Sequence, residues 1–497
     1  MLPSEAIKFK RPLRKHQADA LDWFAYMREV ALFWEMGTGK TTAAISWLRV
    51  KYNMAKDIQK TLIIAPVATL YNWVDEFKIN APEKVVDQCF VPYMRTRKSK
   101  FTGEERAAAI RTTDKRIVIL NPESLDNDQV QAALIRFAPH NLVVDEAHRF
   151  KSHQMYSGNH KAKRPSRVAR LLAISDACTN RMILTGTPIL NSYLDLWSQF
   201  RILDRGDSLG TNFYSFREEF FEDKNLKWKG NAKYFPDFQP RPQCDANITK
   251  VIAAKSSRKT QKDCLDLPEL MFEKRYVELG PEQSKAYFDM EAQMIAEVAG
   301  GVCAAVNALS KVNRLLQILS GHIPVEHDLA AGDRVLAYFD KNPRMDMVEE
   351  LLRELTPDHK VIVWCSFQAN YPRMRGVFTE LGIQWAELVG GTKDRQAEIE
   401  KFRDDPDCRV MLANRKAGGV GVNMTVAKFA IDYSRDYSLG DWLQAEKRNH
   451  RDGCQIHDSL TLISLVVKDT LDEEVLEALL RKENFSENVL DRIKALR

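Results

Sequence analysis

Short apolar runs that stop abruptly at polar, Gly- or Pro-containing segments recur along the whole 497-residue chain. In the first half, ALFW runs into Glu35-Met36-Gly37, TLIIA into Pro66, and IVIL into Asn121-Pro122. LVV runs into Asp145-Glu146, and MIL into Thr185-Gly186-Thr187-Pro188. In the second half, VIVWC leads into Ser366-Phe367-Gln368, AELV into Gly390-Gly391-Thr392, VML into Ala413-Asn414-Arg415 and FAI into Asp432, and LTLISLVV follows before Thr470. Helical patterns fill the gaps. Near-continuous Val/Ile/Leu strands alternating with helices predict parallel sheets covered on both faces. In such doubly wound sheets, ligands bind beyond the carboxyl ends of the strands, where these polar segments fall. Two sets of strands predict two α/β lobes, at 1–205 and 276–480, with 481–497 as a closing C-terminal helix. The segment between them, 206–275, mixes aromatic and basic residues with turn signals. It reads as a small inserted protrusion and inter-lobe connection, with a hairpin turn at Lys229-Gly230-Asn231.

The remaining composition excludes more than it assigns. With 44% hydrophobic and 28% charged residues the chain has the balance of a globular protein. A formal net charge of +5 spread over this length is weak support for a nucleic-acid partner, so only local clustering counts. The eight cysteines include no C-x-x-C pair, which argues against a zinc or disulfide framework and for a reducing compartment. The first fifteen residues hold no apolar core for a signal peptide, and no run approaches the roughly 20 apolar residues of a membrane span. A cytoplasmic protein without membrane contact is the expectation.

The stretch ALFWEMGTGKTTAAI carries the first chemistry. A strand, a Gly-containing turn and Gly39-Lys40-Thr41 at a helix start form a phosphate cradle. Helix N-terminal amides and the helix dipole favour an anion there. Lys40 supplies charge for the terminal phosphates and Thr41 a hydroxyl for Mg²⁺. The strict G-x-x-x-x-G-K-[ST] pattern is not met, because Trp34 stands where its first Gly would be. Asp145-Glu146-Ala147-His148 ends a later strand. Asp145 suits the Mg²⁺ hydration shell, and Glu146 suits orientation of an attacking water in phosphoryl transfer. Such a pair is often only a helix N-cap; the phosphate loop on a preceding strand favours the catalytic reading. In QAEKRNHRDG, Arg448 and Arg451 share a face if that segment is helical, and can neutralise charge developing on a transferred phosphate.

Together these motifs resemble a helicase superfamily 2 motor, specifically a Swi/Snf-type DNA translocase, from about Leu13 to Lys482. LRKHQADALDW offers Gln17 for the adenine contact, and EMGTGKT is similar to the family phosphate loop. IIAPVATLYNWVDEF resembles motif Ia, DEAHRFKS the acidic motif, LTGTPILNSYLDLWSQF motif III, ANRKAGGVGVNMTVA motif V and QAEKRNHRDG motif VI. RKTQKDCLDLPE resembles the segment entering the second lobe. Two departures stand out: Cys454 follows Gly453 where the family usually has Gln, and SRDYSLGDW replaces its Trp-Asn-Pro.

The resemblance implies two RecA-like lobes clamping ATP and Mg²⁺, with Lys40, Asp145, Glu146, Arg448 and Arg451 as the catalytic set and Thr41 and Asp145 as metal ligands. It implies nucleotide contacts from Gln17, Met36, Gly37, Thr38, Gly39, Lys40, Thr41, Thr42 and Gly421. It implies a DNA track along Pro66, Asn72, Ser124, Gln368, Thr392 and Lys416, with Trp228 on the protrusion as an extra contact. Such contacts to the nucleic-acid backbone carry little sequence information and weaken with salt. Three basic stretches, MRTRKSK, HKAKRPSRVAR and KNLKWKGNAKY, read first as solvated loops and second as DNA contacts. The expected activity is that of a monomeric, DNA-dependent ATPase that moves along double-stranded or branched DNA. A strand-separating DNA or RNA helicase is the alternative. A non-catalytic scaffold conflicts with the retained Lys40, Asp145, Glu146 and arginine pair.

Overall fold

A computed structural model of the chain describes residues 3–96, 99–157, 164–226, 236–299, 305–326, 334–418, 424–436, 438–446 and 448–482. They divide into two compact units, one running to Leu265 and the other starting at Asp266.

The first unit is built on seven strands: β1 (Glu29–Trp34), β2 (Thr61–Ile64), β3 (Cys89–Phe90), β4 (Ile117–Leu120), β5 (Asn141–Asp145), β6 (Asn180–Leu184) and β7 (Ser256–Lys259). Their order is β7-β1-β6-β5-β2-β4-β3, and every pairing is parallel. Successive side chains of a strand point to opposite faces, and here both faces are apolar. Ala31, Phe33, Leu62, Ile64, Leu142 and Val144 enter one core. Val30, Leu32, Trp34, Ile63 and Val143 enter the other. That two-sided burial is why these strands read as unbroken apolar runs.

β7 has no such run. Its sequence is Ser256-Ser257-Arg258-Lys259, yet the first three residues are buried. Polar pairing replaces apolar packing: Trp34 Nε1 donates to Ser257 Oγ at 3.0 Å and Arg258 to the Phe33 carbonyl at 3.2 Å. The segment from 206 to Leu265 thus completes the first lobe's own sheet. Within it, Phe221–Asp223 and Phe238–Pro240 form an antiparallel pair. The Arg217 guanidinium sits 3.8 Å from the Phe238 ring centroid and anchors that pair by cation–π attraction. Lys229-Gly230-Asn231 and Trp228 lie outside the described residues.

The second unit holds β8 (Glu269–Val277), β9 (Lys360–Trp364), β10 (Gln384–Leu388), β11 (Cys408–Ala413), β12 (Ala427–Asp432) and β13 (Ser459–Val467). The order is β8-β13-β12-β9-β11-β10, again parallel throughout. Val361, Val363, Val410, Leu412, Ile431 and Ile463 pack one face against Val348, Leu352, Met374 and Phe378 of the covering helices. β8 is a mostly exposed edge strand, so it carries no continuous apolar signal. The sequence-based boundary at 275/276 falls inside it. Residues 471–482 form a helix, and 483–497 lie outside the described residues. Among the described residues, no helix is long and apolar enough to cross a membrane.

Candidate functional site

The phosphate-loop segment sits at the carboxyl end of β1. Gly37 and Gly39 both take left-handed backbone, at φ +79° and +84°, which favours glycine. Gly39 is also spatially constrained: a Cβ there would lie 2.1 Å from Gln17 Nε2. The helix Lys40–Ala55 starts at once. Lys40 Nζ donates to the Trp34 carbonyl (2.9 Å) and the Glu35 carbonyl (3.2 Å), folding over its own loop. The buried Thr38 hydroxyl donates to the Glu35 carbonyl at 2.8 Å. The helix Lys15–Phe24 leans on the loop through His16, whose ring nitrogen pairs with the Thr38 carbonyl at 2.8 Å. Gln17 lies beside it, with Nε2 3.4 Å from the Gly39 carbonyl. Thr42 turns the other way and donates to Glu76 Oε2 at 3.1 Å.

Asp145 ends β5 in a buried position. Trp73 Nε1 donates to its Oδ2 at 3.1 Å and the Glu146 N–H to its Oδ1 at 3.0 Å. Burial first and the adjacent Glu146 second push its carboxyl up to about 6, while Lys40 and the Trp73 bond oppose them. The Lys40 charge therefore acts on Asp145: the two motifs, distant in sequence, share one electrostatic environment. Glu146 adopts left-handed backbone at φ +51°, a conformation that costs a non-glycine residue roughly 1–3 kcal/mol and concentrates at functional sites. His148 Nδ1 lies 3.3 Å from Glu146 Oε2 and 3.0 Å from Thr185 Oγ1, tying the acidic motif to the Thr185–Pro188 turn.

The donor set fits a hard divalent ion carried in with phosphates. A threonine hydroxyl and a buried carboxylate are oxygen ligands, and Mg²⁺ takes one or two carboxylates plus substrate phosphates. Burial and the adjacent Glu146 both raise the Asp145 pKa, and a cation beside the carboxylate would oppose them.

The sequence reading did not see what surrounds Glu35. Its carboxylate accepts from Arg258 at 3.0 Å and from the Gln261 N–H at 2.8 Å, and the Gln261 side chain donates to the Met36 carbonyl at 2.9 Å. No local signal marks this clamp, since Ser256-Ser257-Arg258-Lys259 carries no apolar strand pattern.

In the second unit, the helix Leu439–Glu446 stops before Arg448. Residues 448–453 are turns, so Arg448 and Arg451 do not share a helical face as the spacing allowed. Arg448 is wholly buried and its carbonyl accepts from the Met424 N–H at 3.1 Å. Arg451 is partly buried, which lowers its pKa, with Asp452 opposing. Gly421 lies outside the described residues.

The same unit holds a buried charge network, also unread in the sequence. Asp432, at the end of β12, pairs with Arg415 (2.7 Å) and Arg435 (2.9 Å). Asp472 pairs with Arg435 (3.0 Å) and with Arg344. Burial alone would raise the Asp432 pKa, but the two arginines outweigh it and hold it below the usual carboxylate range.

The residues expected along a DNA track all follow strand carboxyl ends. Pro66 is buried after β2, and Asn72 is exposed on the next helix. Ser124, after β4, is buried and accepts from Arg106 at 2.8 Å. Gln368, after β9, is exposed. Thr392, after β10, donates to the Glu387 carbonyl at 3.2 Å. Lys416, after β11, is exposed and pairs with Asp436 at 2.9 Å. The surface groups here can meet phosphates; the Ser124 and Thr392 hydroxyls already serve the protein's own bonding.

Residues 16–321 match the SNF2-related domain and residues 343–453 the helicase conserved C-terminal domain. The chain is 26% identical over 490 residues to an uncharacterized ATP-dependent helicase of Mycoplasma genitalium, covering 96% of this chain and 42% of that protein. It is 26% identical over 561 residues to the TATA-binding protein-associated factor MOT1 of Saccharomyces cerevisiae, covering 99% of this chain and 28% of MOT1. It thus spans less than half the length of these curated relatives. A solved structure of the Sulfolobus solfataricus SWI2/SNF2 ATPase core in complex with dsDNA is 22% identical, with 97% of this chain and 93% of that one covered and a TM-score of 0.41. With its SNF2-related domain spanning more than half its length, the chain belongs to the SNF2-related family of helicase-like ATPases.

Proposed function

We propose that the chain is an ATP-dependent motor that translocates on double-stranded DNA, including forked or branched DNA. The observation that carries the reading is that one parallel sheet brings the glycine-bearing loop and Lys40 after β1 to the same strand edge as Asp145 at the end of β5, with Glu146 in left-handed backbone beside it. Lys40 and the loop amides bind the phosphates of ATP. Thr41 and Asp145 hold Mg²⁺, which supplies charge neutralisation when bound. Glu146 orients the attacking water, and Gln17, whose Nε2 lies 3.4 Å from the Gly39 carbonyl, supplies the adenine contact. Arg448 and Arg451 supply positive charge from the second lobe. Nucleotide-dependent change in how the two lobes hold the DNA backbone gives directed motion, provided grip differs between states. A monomeric motor in the cytoplasm is part of the same proposal.

The test is ATP turnover against a panel of single-stranded, duplex, forked and four-way DNA and RNA, paired with triplex displacement and forked-duplex unwinding. Duplex-stimulated turnover with triplex displacement is the expected outcome. Unwinding without triplex displacement would instead establish the strand-separating helicase. Arg451→Ala is expected to lower stimulated kcat by about 10³-fold or more. A change under about twofold in a steady-state assay would remove this arginine from the transition state.

A further inference from the structure

The backbone that feeds the phosphate loop is gripped by residues that the nucleotide chemistry does not use. Arg258 donates to the Phe33 carbonyl and to Glu35 Oε1, at 3.2 and 3.0 Å. Gln261 holds Glu35 Oε2 through its backbone N–H, at 2.8 Å, and the Met36 carbonyl through its side chain, at 2.9 Å. The Glu35 N–H in turn donates to the Lys259 carbonyl at 2.9 Å. On the other side a Cβ at Gly186 would stand 3.2 Å from the Trp34 carbonyl, so the Thr185–Pro188 turn closes that flank. Glu35, Arg258 and Gln261 are all buried.

Apolar residues would stabilise such a place at least as well as a buried ion pair. What directional bonds add is a fixed relation between two backbones. One is the phosphate loop. The other, shortly after Gln261, leaves the first unit at Leu265. The loop's bonding must change with occupancy, because Lys40 now spends its ammonium on the Trp34 and Glu35 carbonyls. Turning it toward phosphates releases those carbonyls, and the stretch that shifts is the one Arg258 and Gln261 hold.

We propose that Arg258 and Gln261 are positioning residues that transmit the occupancy of the phosphate loop to the segment leaving the first lobe. This rests on the reading of the loop as a nucleotide site. It makes Gln261 the contact through which one lobe's ligand biases the chain entering the next.

The experiment is amide hydrogen exchange with and without Mg²⁺ and adenylyl-imidodiphosphate, on the unaltered chain and on Gln261→Met and Arg258→Lys. Gln261→Met keeps the side-chain volume and removes the carboxamide that donates to Met36, leaving the backbone bond to Glu35 in place; Arg258→Lys keeps the charge and loses the two-armed geometry, and thermal melts establish that each folds. In the unaltered chain the analogue slows exchange both in the loop and at 260–265. In Gln261→Met the loop is still protected, the protection at 260–265 is lost, and DNA-stimulated kcat falls about tenfold while KM for ATP moves less than about threefold. Arg258→Lys shifts the same readouts in the same direction. Protection at 260–265 that survives Gln261→Met, or is absent from the unaltered chain while the loop is protected, overturns the proposal. So does a variant whose KM rises with kcat unchanged, since that marks a brace for binding alone. Absence of analogue protection at the loop itself in the unaltered chain is a different failure, of the nucleotide reading, and takes this proposal with it.

Discussion

Lys40→Ala is expected to abolish measurable DNA-stimulated ATP turnover while DNA binding stays measurable. Removing one preorganised donor at a site of developing charge costs about 10²–10³ in rate, and Lys40 also supplies the only formal positive charge of the Gly37–Thr42 turn. Its loss also leaves the Asp145 carboxyl without the cation that now offsets burial and Glu146. Stability should change little by comparison, since the ammonium is half-buried and donates to the neutral Trp34 and Glu35 carbonyls of its own loop. A coupled ATPase assay beside a fluorescence-anisotropy titration with duplex DNA checks both halves. Near-normal turnover would mean the loop is an ordinary strand-to-helix turn.

Asp432→Ala is expected to have the largest effect on stability. The carboxylate is fully buried between Arg415 and Arg435, and the variant leaves Arg415 without its ion-pair partner inside the lobe. Breaking a buried pair from one side costs about 3–5 kcal/mol. In a lobe of this size that corresponds to a fall in Tm on the order of 10 °C, readable by calorimetry. Arg435 retains Asp472 and the Leu465 carbonyl, so the loss should centre on the start of the short helix Arg415–Gly418. The pH dependence has a definite sign. The folded-state pKa is depressed, so the contribution is complete above the ordinary carboxylate range and is lost as acid carries the pH through the lowered value. A Tm for Asp432→Ala within about 2 °C of the unaltered chain would show that the arginines find other partners.

Much of the candidate site is legible in the sequence. Gly37-Thr38-Gly39-Lys40-Thr41 and Asp145-Glu146 are each contiguous, and each follows a strand whose Val, Ile and Leu residues announce it. The Glu35–Arg258–Gln261 clamp was not legible, because its partners stand 223 and 226 residues apart. No local pattern links them. The strand that carries Arg258 is itself disguised, since two serines, an arginine and a lysine look like a loop until Trp34 and Phe33 are seen to satisfy them. β8 was hidden for the opposite reason: an exposed edge strand needs no apolar run. The arginine pair shows a third limit. Three-residue spacing suggested one helical face, but the helix ends at Glu446 and turns carry Arg448 and Arg451 instead.

The sequence alone determined the two parallel sheets, the phosphate loop and the acidic pair, because apolar periodicity and strand-end chemistry are written in neighbouring residues. Only the tertiary structure decided that Lys40 acts on Asp145, that Arg258 and Gln261 grip the loop, and that Asp432 gathers two arginines. Those are relations between strands adjacent in space and remote along the chain, fixed by sheet order and burial, where desolvation makes each charge depend on the partner the fold delivers.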